Sequence, residues 1–383
     1  MKIFTNKTTL KHKHRDDKVE VQGTERRFLK METNNVKQKV FNIAVIGCKI
    51  GEPHIKAIVQ NPNANLYGVC DLNEELLARI VKENNPEKYT TNWKEFLDDP
   101  KVEAVIVGTP DKLHLEMTAA FLRAGKDVMC EKPMALTVEE CEEMMKVEKE
   151  TGRRLMVGQV GRFCPAFRRA KKMVDEGMIG DLFFVESEYA HDYSHARGAG
   201  DWRVDPDRHA VIGGGCHAID LLRWIAGDPT DVFALSNRKC LTDWPVDDCC
   251  IAVMKFPNGV NGKVLTSIGC KRDYTMRTVL YGTKGTIICD NTSNFLTYFA
   301  GEENHPAFLP IEKKSFTVPQ KLSVSIAHHN MVGELKMFLD SLISGEPFPI
   351  SPMEGASTVA VCRAVVKSCA TGQMEKIVYP NKI

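Results

Sequence analysis

The chain has 383 residues, more than the roughly 100 to 200 of an average domain, so we expect two domains that each bury a core. Its 51 Lys and Arg residues nearly balance 50 Asp and Glu residues, and a net charge of +1 gives no reason to expect nucleic acid or a membrane surface as a partner. No apolar run approaches the roughly 20 residues that span a bilayer, and no secretory signal is evident, so we expect a cytoplasmic protein.

The first half of the chain alternates apolar strands with helices. Residues 1–39 precede this pattern as a polar arm, which we interpret as partly disordered or held by a neighbouring subunit. Thr137 and Glu140 predict a capping box that opens one of the helices. Five segments predict strands: FNIAVIG, NLYGVCD, VEAVIVGTP, KDVMCEKP and RRLMVGQ. Because strands that are apolar at every position are covered on both faces, we predict a parallel, doubly wound domain over residues 40–160.

The pattern changes after residue 160. Strand-like segments separated by turn residues follow one another, and Asn258-Gly259 is typical of a hairpin turn. We predict an α/β domain over residues 161–383, built on a large, mostly antiparallel open sheet. Helices on one face would leave the other face free for a second copy, so we expect a homo-oligomer through this sheet.

The thirteen cysteines do not form a recognisable site. None makes the C-x-x-C spacing of a zinc site or a redox pair. An odd number without a secretory signal argues against a disulfide framework and favours a reducing compartment. We expect most of them to be small buried residues, and we expect no metal site.

The turn after the first strand, residues 47–51, and Asp71 at the end of the second strand indicate a dinucleotide site. Backbone N–H groups at a turn with little side chain can approach a pyrophosphate, and an acidic residue about 20 positions on can bind a ribose diol. A third glycine is missing between Gly47 and Gly51, so the glycines alone are also compatible with an ordinary tight turn. The Asp71 carboxylate would repel a 2′-phosphate, which favours NAD over NADP.

Residues 130–133, Cys-Glu-Lys-Pro, lie at the C-terminal end of the fourth predicted strand, the edge where open parallel sheets bind ligands. Lys132 is either a surface charge or a group that holds a substrate hydroxyl and accepts its proton as hydride leaves. Pro133 would fix the turn, and the peptide bond before it could be cis.

Several separated motifs follow one another from about residue 42 to the C-terminus. They are GTP with His114, AGKDVMCEKP, GQVGRFCP, DWR, GGGCHAIDLLRW, TKGTI and SPMEGA. In this order they resemble the glucose-fructose oxidoreductase and inositol dehydrogenase family (Gfo/Idh/MocA). The resemblance implies an N-terminal Rossmann domain, a C-terminal α/β domain with a large sheet, NAD or NADP, and oxidation or reduction of a sugar, polyol or related carbon centre.

The resemblance also implies roles for individual residues. Lys132 is similar to the family's catalytic lysine, and His217 is similar to its active-site histidine, although His217 alone is also compatible with an ordinary helix start. The implied cofactor-binding residues are Gly47, Ile50, Gly51, Asp71, Thr109, Pro110, His114, Glu131, Lys132 and Gln159. The implied substrate-binding residues are Arg162, Trp202, Arg203, His217 and Asp220. Asp220 could instead orient the imidazole or serve its own helix.

One position departs from the family. Many relatives carry an Asp four residues before the active-site histidine, where this chain has Gly213. The lysine and the histidine must then carry proton transfer unless a nearby side chain substitutes: Asp205, Asp207 or His209.

Two further segments bear on the substrate. Residues 189–203 form an aromatic and charged loop with room for a ligand that carries an aglycone. Residues 328–330, His-His-Asn, either cap a helix or belong to the pocket. We predict an NAD-dependent oxidation of a secondary ring hydroxyl, with C3 of a sugar or glycoside as the preferred position. The alternatives are an inositol or polyol dehydrogenase, a redox-assisted glycoside-cleaving enzyme that retains NAD, and a non-catalytic NAD-binding regulatory protein.

Overall fold

The computed structural model describes residues 39–300 and 319–381, and the predicted N-terminal arm lies outside this part except for Lys39. The first sheet is parallel. Its strands and helices are β1 (Phe41–Ile46), α1 (Cys48–Gln60), β2 (Ala64–Cys70), α2 (Glu74–Asn84), β3 (Lys88–Thr90), β4 (Ala104–Val107), α3 (His114–Arg123), β5 (Asp127–Glu131), α4 (Val138–Thr151) and β6 (Leu155–Gly158). The strand order is β3-β2-β1-β4-β5-β6, which is the order of a dinucleotide-binding Rossmann domain.

The second sheet has nine strands in the part of the chain that the structure describes. Its elements are α5 (Pro165–Asp175), β7 (Leu182–Ala190), α6 (Cys216–Ala226), β8 (Asp231–Asn237), β9 (Cys249–Lys255), β10 (Asn261–Ser267), β11 (Thr275–Gly282), β12 (Gly285–Asp290), β13 (Phe295–Ala300), β14 (Gln320–Ser323), α7 (Met331–Ser344), α8 (Pro352–Thr371) and β15 (Glu375–Lys376). The strand order is β14-β13-β12-β11-β7-β10-β9-β8-β15. Only the β7–β10 pair is parallel in the described sheet, so the prediction of a mostly antiparallel sheet is confirmed.

Burial explains the first sheet. Every residue of β4 is buried, as expected for a strand that helices cover on both faces. The Thr137 side chain accepts a hydrogen bond from the Glu140 N–H, and the Glu140 carboxylate accepts one from the Thr137 N–H, so the predicted capping box is present. One strand of the first sheet, β3, was not predicted. Its three residues are partly exposed at the edge of the sheet and carry no apolar pattern.

The C-terminal helices connect the two halves of the structure. Leu335 and Phe338 of α7 pack in the core of the first sheet. In α8, Val359 belongs to that core, whereas Val361 and Val365 belong to the core of the second sheet. The predicted domain boundary between residues 160 and 161 stays a prediction. The C-terminal helices follow this boundary in the chain, yet they pack partly in the core of the first sheet. No helix in residues 39–300 and 319–381 has the length and hydropathy needed to cross a membrane.

The second sheet buries one face. Along β9, Cys250, Ala252 and Met254 are buried, whereas Ile251 and Val253 between them are exposed. Leu235 on β8 lies directly opposite Ile251 and is also exposed, so apolar side chains are neighbours on the outer face.

The turn that begins α1 requires glycine at residue 47. Gly47 has φ 88°, in the left-handed region, and an added Cβ would lie 2.4 Å from the carbonyl oxygen of Gly108. The end of β4 therefore packs directly on the turn that follows β1. The prediction of a tight glycine turn between the first strand and the first helix is confirmed in this form.

We expect Gly47→Ala to destabilise the fold more than Gly125→Ala. Gly125 also has a positive φ, 79°, but an added Cβ there meets no atom within 4 Å. Gly125→Ala should cost about 1–2 kcal/mol from backbone strain, whereas Gly47→Ala should cost roughly 1–3 kcal/mol more from overpacking. Urea unfolding of both variants measures the difference, and equal midpoints would show that the contact with Gly108 relaxes without cost.

Candidate active site

A cavity opens at the carboxyl ends of the first sheet's strands, where loops of the second sheet face them. The first sheet's side contributes Ile50, Thr109, Asp111, Glu131 and Lys132. The second side contributes Tyr189, His191, Tyr193, Trp202, Arg203, Arg208, His217, Tyr274 and His329. Because the strand order changes direction between β1 and β4, this crevice is where a doubly wound sheet binds its ligand.

The residues at the nucleotide end fit a dinucleotide. Asp71 follows β2, and its carboxylate accepts hydrogen bonds from the N–H of Cys48 at 2.7 Å and of Asn73 at 2.8 Å. This places an acidic group beside the glycine turn at the start of α1. Thr109 Oγ1 and both amide atoms of Gln159 are buried without a partner among the described residues. Buried polar atoms of this kind are satisfied when a polar ligand supplies the partner.

His114 does not line the cavity. It is fully buried, and its two ring nitrogens lie 2.9 Å from the Pro133 carbonyl oxygen and 3.0 Å from the Thr109 carbonyl oxygen. The imidazole therefore joins the loop after β4 to the loop after β5. The ring thus contacts two loops that reach the cavity, and its predicted place among the cofactor-binding residues stays a prediction.

Lys132 extends from the end of β5. Its backbone N–H donates to Glu131 Oε2 at 3.0 Å, and its ammonium lies 3.5 Å from the Gly213 carbonyl oxygen. The peptide bond to Pro133 is cis. The Lys132 ammonium has no carboxylate partner in the described part of the chain, so its charge faces the cavity.

Glu131 lines the cavity, but its carboxylate is paired with a buried histidine. Its Oε1 lies 2.7 Å from Nε2 of the buried His54. Burial opposes ionisation, but the hydrogen bond from His54 and the charge of Lys132 hold the pKa of Glu131 below its usual range. On α7, the buried Glu334 has no hydrogen-bond partner among the described residues, and burial followed by the Glu131 charge raises its pKa. Sequence reasoning missed both His54 and Glu334.

His217 lies in the first turn of α6 with 2% of its surface exposed. Its ring stacks on His329 at a centroid distance of 5.7 Å and on Tyr189 at 6.0 Å, and its Nδ1 has no partner within the described residues. Burial, and then the charge of Lys132, hold the pKa of His217 well below its usual range. The imidazole is therefore neutral near pH 7.

The segment 328–330 serves both of the functions considered for it. Asn330 caps α7 by accepting a hydrogen bond from the Gly333 N–H. His329 lines the cavity, where its Nε2 lies 3.0 Å from the Tyr274 hydroxyl. Burial and then the Lys132 charge lower the pKa of His329 to about 4.

Arg162 and Asp220 are not among the residues that line the cavity. Arg162 donates to Asp220 through Nε at 2.8 Å and through a second nitrogen at 2.7 Å, and both side chains are buried. Glu354 also accepts from Arg162, and the Thr358 hydroxyl donates to Asp220 at 3.0 Å. The two side chains thus form an ion pair between the turn after β6 and α6, and their predicted substrate contacts stay a prediction. Trp202 and Arg203, by contrast, line the cavity.

The side chains considered as substitutes at Gly213 also lie elsewhere. Asp205 and Asp207 pair with Lys112, at 2.6 and 3.4 Å. The His209 ring lies against the N–H of Val211, outside the cavity-lining set.

Arg208 occupies the space beside Gly213. An added Cβ at residue 213 would lie 2.1 Å from the Arg208 guanidinium, which donates to the Gly213 carbonyl oxygen at 3.2 Å. Arg208 Nε also donates to Asp111 at 2.6 Å, and both side chains are 5% exposed. Sequence reasoning missed this pair. Asp111 directly follows the predicted cofactor residues Thr109 and Pro110 and offered a signal, whereas Arg208 offered none.

No group of three or more His, Cys, Asp or Glu side chains that could hold a metal ion occurs in residues 39–300 and 319–381. The site's ionisable groups are instead arranged as hydrogen-bonded pairs around a cationic cavity.

Comparison with known proteins places the chain among oxidoreductases. A family model described as "Oxidoreductase family, NAD-binding Rossmann fold" matches residues 41–159, and one described as "GFO/IDH/MocA C-terminal domain" matches residues 167–288. Inositol 2-dehydrogenase 2 of Saccharopolyspora erythraea is 30% identical over 336 residues, which cover 86% of this chain and 94% of that protein. Levoglucosan dehydrogenase of Pseudarthrobacter phenanthrenivorans is 28% identical over 261 residues, 57% of this chain and 63% of that protein.

A solved structure has the same fold. The complex of levoglucosan dehydrogenase with NADH and levoglucosan superimposes with a TM-score of 0.80 at 23% sequence identity, over 89% of this chain and 100% of that chain. The similarity extends over both sheets, so the arrangement of a Rossmann domain with a large second sheet is common to the two proteins.

We expect the His217 imidazole to titrate well below its ordinary pKa, and we expect that pKa to rise in Lys132→Met. Removing the ammonium removes a charge that disfavours the imidazolium, but burial remains, so the pKa should stay below its ordinary value. NMR titration of the histidine rings measures both values. Lys271→Met is the control, because Lys271 is exposed and paired with Asp192. An ordinary pKa for His217 in the unsubstituted protein would contradict the burial argument.

Proposed function

Because the chain belongs to the Gfo/Idh/MocA family of NAD-dependent oxidoreductases acting on CH–OH groups, we propose that its substrate is a sugar, glycoside or cyclic polyol of which it oxidises a secondary ring hydroxyl. One observation carries the proposal: the Lys132 ammonium and the neutral His217 imidazole line the same cavity at the Rossmann switch point. The similarity to inositol and levoglucosan dehydrogenases supports a ring-shaped substrate. We propose C3 of a sugar as the preferred position.

Lys132 and His217 have different roles because one side chain is positively charged and the other is neutral. NAD, when bound, supplies the acceptor for the hydride. Lys132 donates a hydrogen bond to the substrate oxygen, and its positive charge stabilises the alkoxide character that develops there. His217 accepts the hydroxyl proton, since its ring is neutral and lines the same cavity. In the reverse direction the same imidazole returns the proton.

The nucleotide end of the cavity would hold the cofactor. The backbone of residues 47–51 would bind the pyrophosphate at the start of α1, and the Asp71 carboxylate would accept hydrogen bonds from a ribose diol. The unpartnered polar atoms of Thr109 and Gln159 would then gain partners.

A reducing location fits the thiols. All thirteen cysteines lie in the described part of the chain and none is disulfide-bonded, although the sulfurs of Cys250 and Cys369 are only 3.6 Å apart. A reducing compartment keeps such thiols unbridged, so we propose that the protein works in the cytoplasm.

The exposed apolar face of the second sheet supports assembly with a second copy. Leu235 and Ile251 are 58% and 41% exposed and lie opposite one another, with Val253 nearby on the same face. Exposed apolar clusters of this kind mark interaction surfaces. When two copies related by a two-fold axis meet through this sheet face, the apolar side chains become buried on both partners. We propose a homo-oligomer through this face.

We expect the enzyme to form NADH with at least one ring alcohol from a set of free sugars, O- and C-glucosides and inositols, and we expect Lys132→Met to reduce turnover by at least ~100-fold with NAD still bound. Absorbance at the NADH band and calorimetry measure the two properties. Lys271→Met, an exposed lysine paired with Asp192, is the matched control.

Two outcomes would contradict this assignment. Near-normal turnover by Lys132→Met would show that the lysine is not needed to stabilise the alkoxide that develops on the substrate. Consumption of a glycoside without release of NADH would point instead to a redox-assisted cleavage that retains its NAD.

We expect Val253→Lys to weaken the assembly and Val59→Lys to leave it intact. Both valines are exposed, at 48% and 60%, but Val253 lies on the outer face of the second sheet and Val59 lies on α1. A buried lysine charge at an interface is costly unless it is paired. Light scattering gives the mass of each variant, and a monomeric unsubstituted protein would contradict the proposal.

A further inference from the structure

The cavity carries more positive charge than its own carboxylates neutralise. Its basic side chains other than histidine are Lys132, Arg203 and Arg208. Its two carboxylates are already engaged, Asp111 by Arg208 at 2.6 Å and Glu131 by His54 at 2.7 Å. The cavity therefore has two cations, those of Lys132 and Arg203, without a carboxylate partner among the described residues. Lys132 is accounted for by the reaction, and Arg203 is not.

Arg203 is held in the cavity wall by stacking rather than by charge. Its guanidinium lies 4.4 Å from the centre of the Trp202 ring, and Arg208 approaches the same ring at 4.8 Å. Burial lowers the pKa of the Arg203 guanidinium, yet an arginine remains charged at neutral pH. A half-buried guanidinium without an acidic partner is unfavourable, and an anionic ligand would relieve that cost.

Residue 213, which lies beside Arg208, cannot supply an acidic side chain. Gly213 has no side chain, and the Arg208 guanidinium fills the space into which one would extend, 2.1 Å from an added Cβ. The Arg208 guanidinium therefore fills the space beside Lys132 and His217 that an acidic side chain at residue 213 would occupy. The electrostatic character of this wall favours a substrate with a negative charge.

The cofactor does not account for Arg203. The pyrophosphate position is the glycine turn of residues 47–51 in the first sheet, whereas Arg203 lies in the loop that follows β7 of the second sheet. Arg203 lines the same cavity as Lys132, together with His191. A ligand ring that reaches Lys132 could thus also reach Arg203.

We propose that the substrate is an acidic ring compound of the uronic acid class, whose carboxylate Arg203 binds while its secondary hydroxyl lies at Lys132 and His217. This inference rests on the proposed oxidation and specifies its substrate class. The planar guanidinium matches a carboxylate through two parallel hydrogen bonds. One uncompensated guanidinium balances a single negative charge, which favours a carboxylate over a phosphate dianion.

The test compares two substrates that differ only at this group, a methyl glucuronide and the corresponding methyl glucoside. We expect kcat/KM for the acid to exceed that for the neutral sugar by at least ~10-fold, the usual size of a charged hydrogen bond in a protected site. Arg203→Gln should lower kcat/KM for the acid by about 10- to 100-fold, mainly through KM, and should bring the ratio of the two substrates close to one.

Arg197→Gln is the matched control. Arg197 lies in the same loop, but it pairs with Asp201 and Asp243 and is not among the cavity-lining residues. This variant should keep the preference for the acid. The dissociation constants of NAD, and of both sugars in the NADH complex, are measured for all three proteins, so that binding is known even where turnover is slow.

Each outcome decides the inference separately from the reaction. Turnover of the neutral sugar with no preference for the acid, or a ratio unchanged by Arg203→Gln, overturns the inference and leaves the oxidation standing. Equal loss of NAD affinity and of kcat/KM for both sugars assigns Arg203 to the cofactor and also overturns it. A 6-phosphate ester that outcompetes the glucuronide overturns the carboxylate assignment. Selective, Arg203-dependent binding of the acid without NADH formation supports the inference and contradicts the proposed reaction.

Discussion

The relative position of Lys132 and His217 depends on one buried ion pair. Arg162, in the turn after β6, donates twice to Asp220, which lies one helical turn after His217 on α6. Lys132 directly follows the neighbouring strand, β5, so the pair fixes the imidazole relative to the ammonium. Thr358 of α8 completes the shell around the carboxylate. Removal of one partner of such a pair typically costs about 3–5 kcal/mol, because the other charge is left buried.

The acidic side chains at the site are engaged in structural hydrogen bonds, whereas basic side chains line the cavity. The carboxylates of Asp111, Glu131 and Asp220 each accept hydrogen bonds from a basic side chain. The imidazoles of His217 and His329 are neutral, since burial and the Lys132 charge both disfavour their protonated forms. The cavity thereby combines the Lys132 ammonium with two neutral imidazoles.

Local patterns were sufficient for most of the fold. Apolar runs gave five of the six strands of the first sheet, and the capping box at Thr137 gave the start of α4. The edge strand β3 was missed because its residues are partly exposed and their pairing with β2 is decided by the sheet. The return of α7 to the core of the first sheet was also not predictable, since an apolar helix face does not indicate which core it will join.

For the site, the sequence by itself determined which residues stand at the ends of strands and helices, and so it indicated Lys132, His217 and the loop that carries Arg203. Tertiary structure decided the pairings. Arg208 meets Asp111 across 97 positions of sequence, and Arg162 meets Asp220 across 58. Strand and helix signals arise from neighbouring residues, whereas the partner of a buried charge and the shift of its pKa depend on which distant groups packing brings within a few ångströms.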